Sequence, residues 1–178
     1  MKLIILDRDG VINNDSDQYI KSPAEWRAIP GSLEAIARLN QVGYHIAIAT
    51  NQSGISRGLF DMATFNAMHA KMFRGLAQVG GRIDAVFYCP HTSDAGCECR
   101  KPKTGMLRTI SDRFNTPLTG VPMVGDSERD LAAAAAVGCV PLLVRTGKGA
   151  ATLAAGNLPA GTRTFDDLAA VARFLAQP

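Results

Sequence analysis

The chain is expected to fold as an α/β protein, a Rossmann-like parallel sheet with helices on both faces, no separate cap domain and a zinc-binding loop. Short apolar runs recur along its 178 residues without the polar alternation of a half-exposed strand, and such runs are strands buried on both faces. Between them lie longer segments whose apolar residues repeat at three and four positions, the period of a helix packed by one face. Strand alternating with helix makes right-handed crossovers and hence a parallel sheet.

Length and charge bound the rest. A chain of 178 residues suits one domain, residues 1–178, with a real core. Lys and Arg number 19 against 16 Asp and Glu, a net charge of +3. That suits a receiver of small anions and lacks the basic stripe of a nucleic-acid binder. No apolar run nears the roughly 18 residues that span a bilayer. The amino terminus enters a strand without a basic region or cleavage site, so a cytoplasmic location with no membrane partner is expected.

The first strand, Ile4-Ile5-Leu6, stops at Asp7-Arg8-Asp9-Gly10. In an open parallel sheet the carboxyl ends of strands are where ligands bind; taken alone, the stretch could equally be an Asp-Gly turn. Residues 13–30 form a polar loop holding two prolines and the only tryptophan, Trp26, and loops of such length are functional or mobile. Ser32 opens a helix with Leu33, Ile36, Ala37 and Leu39 on one face, and Gly43 ends it. Tyr44 to Ala49 is the second strand. It delivers the loop Thr50 to Gly58, where two glycines, two serines and Arg57 can bring backbone N–H groups to an anion.

Helix 61–79 follows, capped by Asp61, with Phe65, Met68, Met72, Leu76 and Val79 inward and His69 expected on the solvated face. A strand from Ile83 to Tyr88 leads directly into Cys89-Pro90-His91, and five residues later comes Cys97-Glu98-Cys99. Three thiolates and one imidazole are a closed tetrahedral set, which reads as a structural Zn²⁺ site because no position is left for water. With no export signal, the clustering is not a disulfide framework. Arg100 and Lys101 follow at once, so the metal would fix where two cations point. Then come helix 104–115, the strand Val121 to Val124 ending in Gly125-Asp126, helix 127–137, the strand Val140 to Val144 with Cys139 as a buried thiol at its head, and helix 164–176.

Acids on two strand ends, a hydroxyl on a third and a nearby lysine are the parts of metal-assisted phosphoryl transfer: carboxylates hold a divalent cation, the cation and lysine neutralise phosphate oxygens, and one carboxylate attacks phosphorus. Asp7-Arg8-Asp9-Gly10, Thr50, Lys101 and Gly125-Asp126 resemble, in this order, the four motifs of the haloacid dehalogenase-like superfamily of aspartate-nucleophile phosphatases. Within it the chain is most similar to the heptose-bisphosphate phosphatases, through Asp7 to Gly10, Thr50 to Gly58 and Cys97-Glu98-Cys99-Arg100-Lys101-Pro102. The histidinol phosphatases are near relatives.

The resemblance implies that Asp7 is the nucleophile and Asp9 the general acid and base. It implies Mg²⁺ on Asp7, Asp126 and the backbone carbonyl of Asp9, with Asp130 bracing these ligands, and Zn²⁺ on Cys89, His91, Cys97 and Cys99. Thr50 and Lys101 would hold the phosphoryl group. Asp15, Tyr19, Asn51, Gln52, Ser53, Arg57 and Arg100 would meet the substrate, a small phosphorylated sugar. Its second phosphate would need cations, for which Arg57, Arg100, Lys103 and Lys148 are candidates. A lysine would be expected where this chain has Ser127. The implied reaction is loss of the 7-phosphate of heptose 1,7-bisphosphate, a step toward nucleotide-activated heptose for lipopolysaccharide, by a monomer. Histidinol phosphate is the alternative substrate, and a non-catalytic zinc-stabilised interaction module is the alternative of another class.

Overall fold

The computed structural model describes residues 1–177. Its elements are β1 (Lys2–Leu6), α1 (Ser32–Gln41), β2 (Tyr44–Asn51), α2 (Met62–Gln78), β3 (Ala85–Cys89), α3 (Gly105–Phe114), β4 (Pro122–Gly125), α4 (Glu128–Ala136), β5 (Val140–Val144), α5 (Gly149–Ala155), β6 (Arg163–Phe165) and α6 (Leu168–Leu175). The six strands form one parallel sheet in the order β3-β2-β1-β4-β5-β6. Strand order reverses at β1, and the crevice outside a reversal point is where such sheets bind ligands. Leu6 pairs with both Ile48 and Val124. Asp7 is therefore level with Ala49 and Gly125, one residue short of Thr50 and Asp126.

Side-chain alternation along β1 divides the core. Ile4 and Leu6 pack with α1, α2 and α6 through Ile36, Leu39, Met68, Met72 and Val171. Leu3 and Ile5 point the other way, onto α3 and α4 through Leu107, Ile110 and Ala133. Period-two strands covered on both faces must be apolar at every position. Asp61 caps α2 by accepting from the Thr64 N–H at 2.8 Å. In α4 the acid lies inside the first turn: Asp130 accepts from the N–H and hydroxyl of the N-cap residue Ser127 at 3.1 and 2.8 Å.

Three expectations change. His69 is buried, not solvated: the inward stripe of α2 includes it beside Met68, and the buried Arg8 side chain meets it there. Residues 163–165 form β6 against Leu142–Val144, so the last helix starts only at Leu168, capped by Asp167 on the Ala170 N–H. The edge of β5 offered unmade backbone hydrogen bonds, and a three-residue strand is too short to show a period. Helix α5 was not anticipated because its Gly- and Ala-rich sequence carries no apolar stripe.

Loop 13–30 is pinned through its tryptophan. Trp26 and Ile20 enter the core, Ile29 donates its N–H to Ile12 O, and Lys71 Nζ donates to the carbonyls of Pro23 and Trp26 at 2.7 and 2.6 Å. Among the described residues no helix is long and apolar enough to cross a membrane.

Candidate active site and metal centre

A cleft of about 240 Å³ opens at the carboxyl edge beside β1 and β4. Asp7 and Asp126, each one residue past a strand, bring carboxylate oxygens within 4.8 Å of one another, together with Asp130 from the first turn of α4. The fully buried Lys101 reaches this group from the loop after the cysteines. Its Nζ donates to Asp130 Oδ1 at 2.7 Å, Asp7 Oδ1 at 3.0 Å and Ala49 O at 2.6 Å. Asn51 fixes the backbone there, donating to Lys101 O at 3.0 Å and accepting from its N–H at 3.1 Å.

Charge is unevenly compensated. Burial acts to lower the Lys101 pKa, but Asp130 and Asp7 outweigh it and hold the ammonium charged. Burial would raise Asp130, yet Lys101 keeps it below the ordinary carboxylate range. Asp7 is pushed well upward by burial and then by the Asp130 charge. Asp126 is pushed to about 7 by the same two causes in the same order. Two under-compensated oxygen donors, crowded together and buried, suit a hard divalent cation.

The backbone makes room for Asp126. Gly10 (φ +84°) and Gly147 (φ +58°) adopt left-handed conformations, and a Cβ on either would overlap the Asp126 carboxylate. The Lys148 N–H donates to Asp126 Oδ2 at 2.8 Å and the Thr152 hydroxyl to Asp126 O at 2.7 Å.

The carboxylate of Asp9 is outside this cluster. Its Oδ1 accepts from Arg8 Nε and Nη2 at 3.0 and 2.8 Å and from Asn13 Nδ2 at 2.8 Å; its Oδ2 accepts from Gln52 Nε2 at 2.9 Å. Thr50 does not line the cleft: it is buried, and its hydroxyl accepts from Gln52 Nε2 at 2.9 Å.

Asp15, Tyr19, Asn51, Gln52, Ser53, Arg57 and Arg100 all line the cleft. Asp15 lies 3.6 Å from Lys148 Nζ, and Arg57 stands over the Tyr19 ring at 5.9 Å. Lys103 does not reach the cleft and pairs with Glu98 at 2.9 Å. Arg129, passed over in the sequence, does line it; it lies three residues after Asp126, one helical turn on, and that spacing was the available signal. Arg8 and Asn13 were also missed. Arg8 sits between two acids at a strand end, where alternation sends it inward, away from the cleft.

The loop after β3 brings Cys89, His91, Cys97 and Cys99 together. Cys89 Sγ lies 3.7 Å from Cys97 Sγ, 3.0 Å from Cys99 Sγ and 3.5 Å from His91 Nδ1, which is 3.3 Å from Cys99 Sγ. Around tetrahedral zinc, bonds of 2.0–2.3 Å put ligand atoms roughly 3.5–3.8 Å apart, so the set fits after a shift of Cys99. The loop also orients Arg100, whose Nη1 donates to His91 O at 3.3 Å. Cys139 lies apart in the other half of the core, where burial pushes its thiol up to about 12.

Comparison with known proteins agrees with this geometry. Residues 2–131 match the family model of polynucleotide kinase 3 phosphatase, and residues 98–171 match a HAD-hydrolase-like model. The D-glycero-beta-D-manno-heptose-1,7-bisphosphate 7-phosphatase of Bordetella bronchiseptica is 63% identical over 177 residues, 99% of both chains. That of Pseudomonas aeruginosa is 58% identical over 98% of both. The crystal structure of the B. bronchiseptica D,D-heptose 1,7-bisphosphate phosphatase, complexed with magnesium and phosphate, superimposes with a TM-score of 0.97 over 98% of each chain. The corresponding Burkholderia thailandensis structure is 56% identical, with a TM-score of 0.80 over 99% of this chain and all of that one. At this identity and coverage, the chain belongs to the D-glycero-beta-D-manno-heptose-1,7-bisphosphate 7-phosphatase family of HAD-like hydrolases.

Proposed function

We propose that the chain is a Mg²⁺-dependent phosphatase that removes the 7-phosphate of D-glycero-D-manno-heptose 1,7-bisphosphate. The observation that carries this reading is the buried pair Asp7 and Asp126 beside Lys101, in a chain 63% identical to a relative crystallised with magnesium and phosphate. Lys101 occupies Oδ1 of Asp7, and Oδ2 has no protein donor among the described residues. Asp7 attacks phosphorus, the bond from phosphorus to the C7 oxygen breaks, and Asp9 supplies the proton which that oxygen needs. Water then attacks the aspartyl phosphate, gives its proton to Asp9, and frees Asp7 and inorganic phosphate. Lys101 neutralises a phosphate oxygen throughout. Thr50 would join it by donating its hydroxyl proton, since that oxygen only accepts from Gln52.

Bound Mg²⁺ would supply charge neutralisation and a template for the phosphate, held by Asp7, Asp126 and the Asp9 carbonyl. Zn²⁺ on Cys89, His91, Cys97 and Cys99 would be structural, setting Arg100 and the wall of a cleft that has no cap domain. The second phosphate is matched by cations: Arg57, Arg100 and Arg129 line the cleft, and none forms an ion pair among the described residues. Asp15, Tyr19, Asn51, Gln52 and Ser53 are left to the sugar.

The test is a panel of phosphate esters at fixed Mg²⁺, with heptose 1,7-bisphosphate against histidinol phosphate. Higher kcat/KM for the bisphosphate is the expected result; preference for histidinol phosphate would overturn the assignment.

A further inference from the structure

Arg8 has no exposed surface, and no step of phosphoryl transfer uses it. Two of its nitrogens hold Asp9 Oδ1, and the third group, Nη1, donates to His69 Nε2 at 3.2 Å. A guanidinium is a donor only, so His69 Nε2 must accept and its ring proton must sit on Nδ1. Burial, then the Arg8 charge, push His69 down to about 4, so the ring is neutral at physiological pH. The ring is fixed by Phe65, edge-on at a centroid distance of 4.2 Å, with Phe73 at 6.2 Å on α2. Asn13 supplies a third hydrogen bond to Asp9 Oδ1, whereas Oδ2 accepts from Gln52 alone. One oxygen is saturated from the protein side and the other is left toward the cleft.

We infer that His69 is a positioning residue: through Arg8 it locks the Asp9 carboxyl so that Oδ2 alone exchanges the proton with the leaving alcohol and with the attacking water. This rests on Asp9 being the general acid and base, as proposed above. Without an acceptor at position 69, Nη1 becomes a buried donor with no partner, and the guanidinium shifts to satisfy it. Displacing an acid by about 1 Å costs up to roughly 10²-fold in rate.

The two half-reactions separate this role from a merely structural one. Transfer of phosphate from p-nitrophenyl phosphate to Asp7 needs no proton for its leaving group, whereas alkyl phosphates and aspartyl-phosphate hydrolysis need Asp9. In His69→Leu the p-nitrophenol burst rate should stay within about twofold, while steady-state kcat on aryl and sugar phosphates falls roughly 10–100-fold; KM for the aryl phosphate should fall with kcat, because kcat/KM reports the unchanged first step. His69→Gln, whose amide oxygen can accept from Nη1, should recover to within about threefold of wild type. Turnover by His69→Leu at the wild-type rate, or equal losses in the Leu and Gln variants, would overturn the inference. Asp9→Asn keeps the two readings apart: it should give a burst and then stall, and normal turnover there would remove the acid–base reading itself. In wild-type protein, ¹⁵N NMR of His69 should show a bare Nε2; a proton on Nε2 would overturn the inference whether or not any variant folds.

Discussion

Replacing Asp126 by asparagine isolates one electrostatic cost of the cleft. Asp126 is 3% exposed, and burial followed by the Asp130 charge raises it from 3.8 to about 7. At about 1.4 kcal/mol per unit, a rise of about three units bounds the cost of ionising it in the folded chain near 4 kcal/mol. Relaxation and water entry reduce such penalties, so about 2 kcal/mol is the working figure. The folded state holds this proton more tightly than the unfolded chain does. The stabilisation is therefore complete below pH 3.8 and is lost as pH rises through about 7. An asparagine side chain cannot titrate. In Mg²⁺-free protein that retains its zinc, Asp126→Asn should match wild type near pH 4 and exceed its Tm by about 4–8 °C at about pH 7.5, at 2–4 °C per kcal/mol for a chain of this size. Saturating Mg²⁺ should invert the order, because the ion stabilises only the folded state that binds it. Scanning calorimetry at matched pH decides the matter. Equal Tm values at neutral pH, with and without Mg²⁺, would show that Asp126 neither carries the penalty nor binds the ion.

Asp7→Asn should abolish hydrolysis of p-nitrophenyl phosphate while circular dichroism and zinc content stay unchanged; turnover above about 1% of wild type would rule out Asp7 as nucleophile. Asp130→Asn should cost about 3–5 kcal/mol in urea unfolding, because Lys101 loses a buried partner, and adding Lys101→Met should restore part of that loss. Strict additivity of the two would contradict the coupling drawn from their 2.7 Å contact. Gly10→Ala forces a Cβ onto the Asp126 carboxylate, so calorimetric titration should find Mg²⁺ binding weakened by about tenfold or more. Cys97→Ser should release zinc and raise KM as Arg100 loses its seat; unchanged zinc by elemental analysis would mean the ligand set is wrong.

What could be read in the sequence was whatever one strand or one short spacing encodes. The apolar runs ending in Asp7, Thr50 and Asp126 reported strand ends, and parallel pairing does the rest because it levels those ends. Cys89, His91, Cys97 and Cys99 lie within one eleven-residue stretch, so local spacing was enough to expect that they cluster. His69 failed because its burial depends on Arg8, 61 residues away. Helical period alone gives a stripe its direction, not its width. Lys103 failed for the opposite reason: a basic neighbour of Lys101 looked like part of the site, but its chain turns toward Glu98. Strand β6 is recruited by an open sheet edge, a property of β5 that Arg163–Phe165 cannot show by themselves.

Four of the acids that line the cleft, Asp7, Asp9, Asp126 and Asp130, also account for where the proposed metal site lies. Asp9 is matched by Arg8 and Asp130 by Lys101, both cations buried and both held by several hydrogen bonds. Asp7 shares Lys101 with Asp130 and comes second, since the 2.7 Å contact goes to Asp130. Asp126 has no cationic side chain within ion-pair reach among the described residues. Four carboxylates against two buried cations leave a deficit of two charges, which is what one divalent ion cancels. The deficit is concentrated on Asp7 and Asp126, the two acids raised in pKa. A phosphate dianion arriving without the ion would add its own charge to that deficit, so metal and substrate must be bound together. Arg8 and Lys101 are thus the residues that sort four equivalent side chains into two roles. One pair of acids is compensated by protein. The other pair is left short by two charges, which suits the proposed divalent ion.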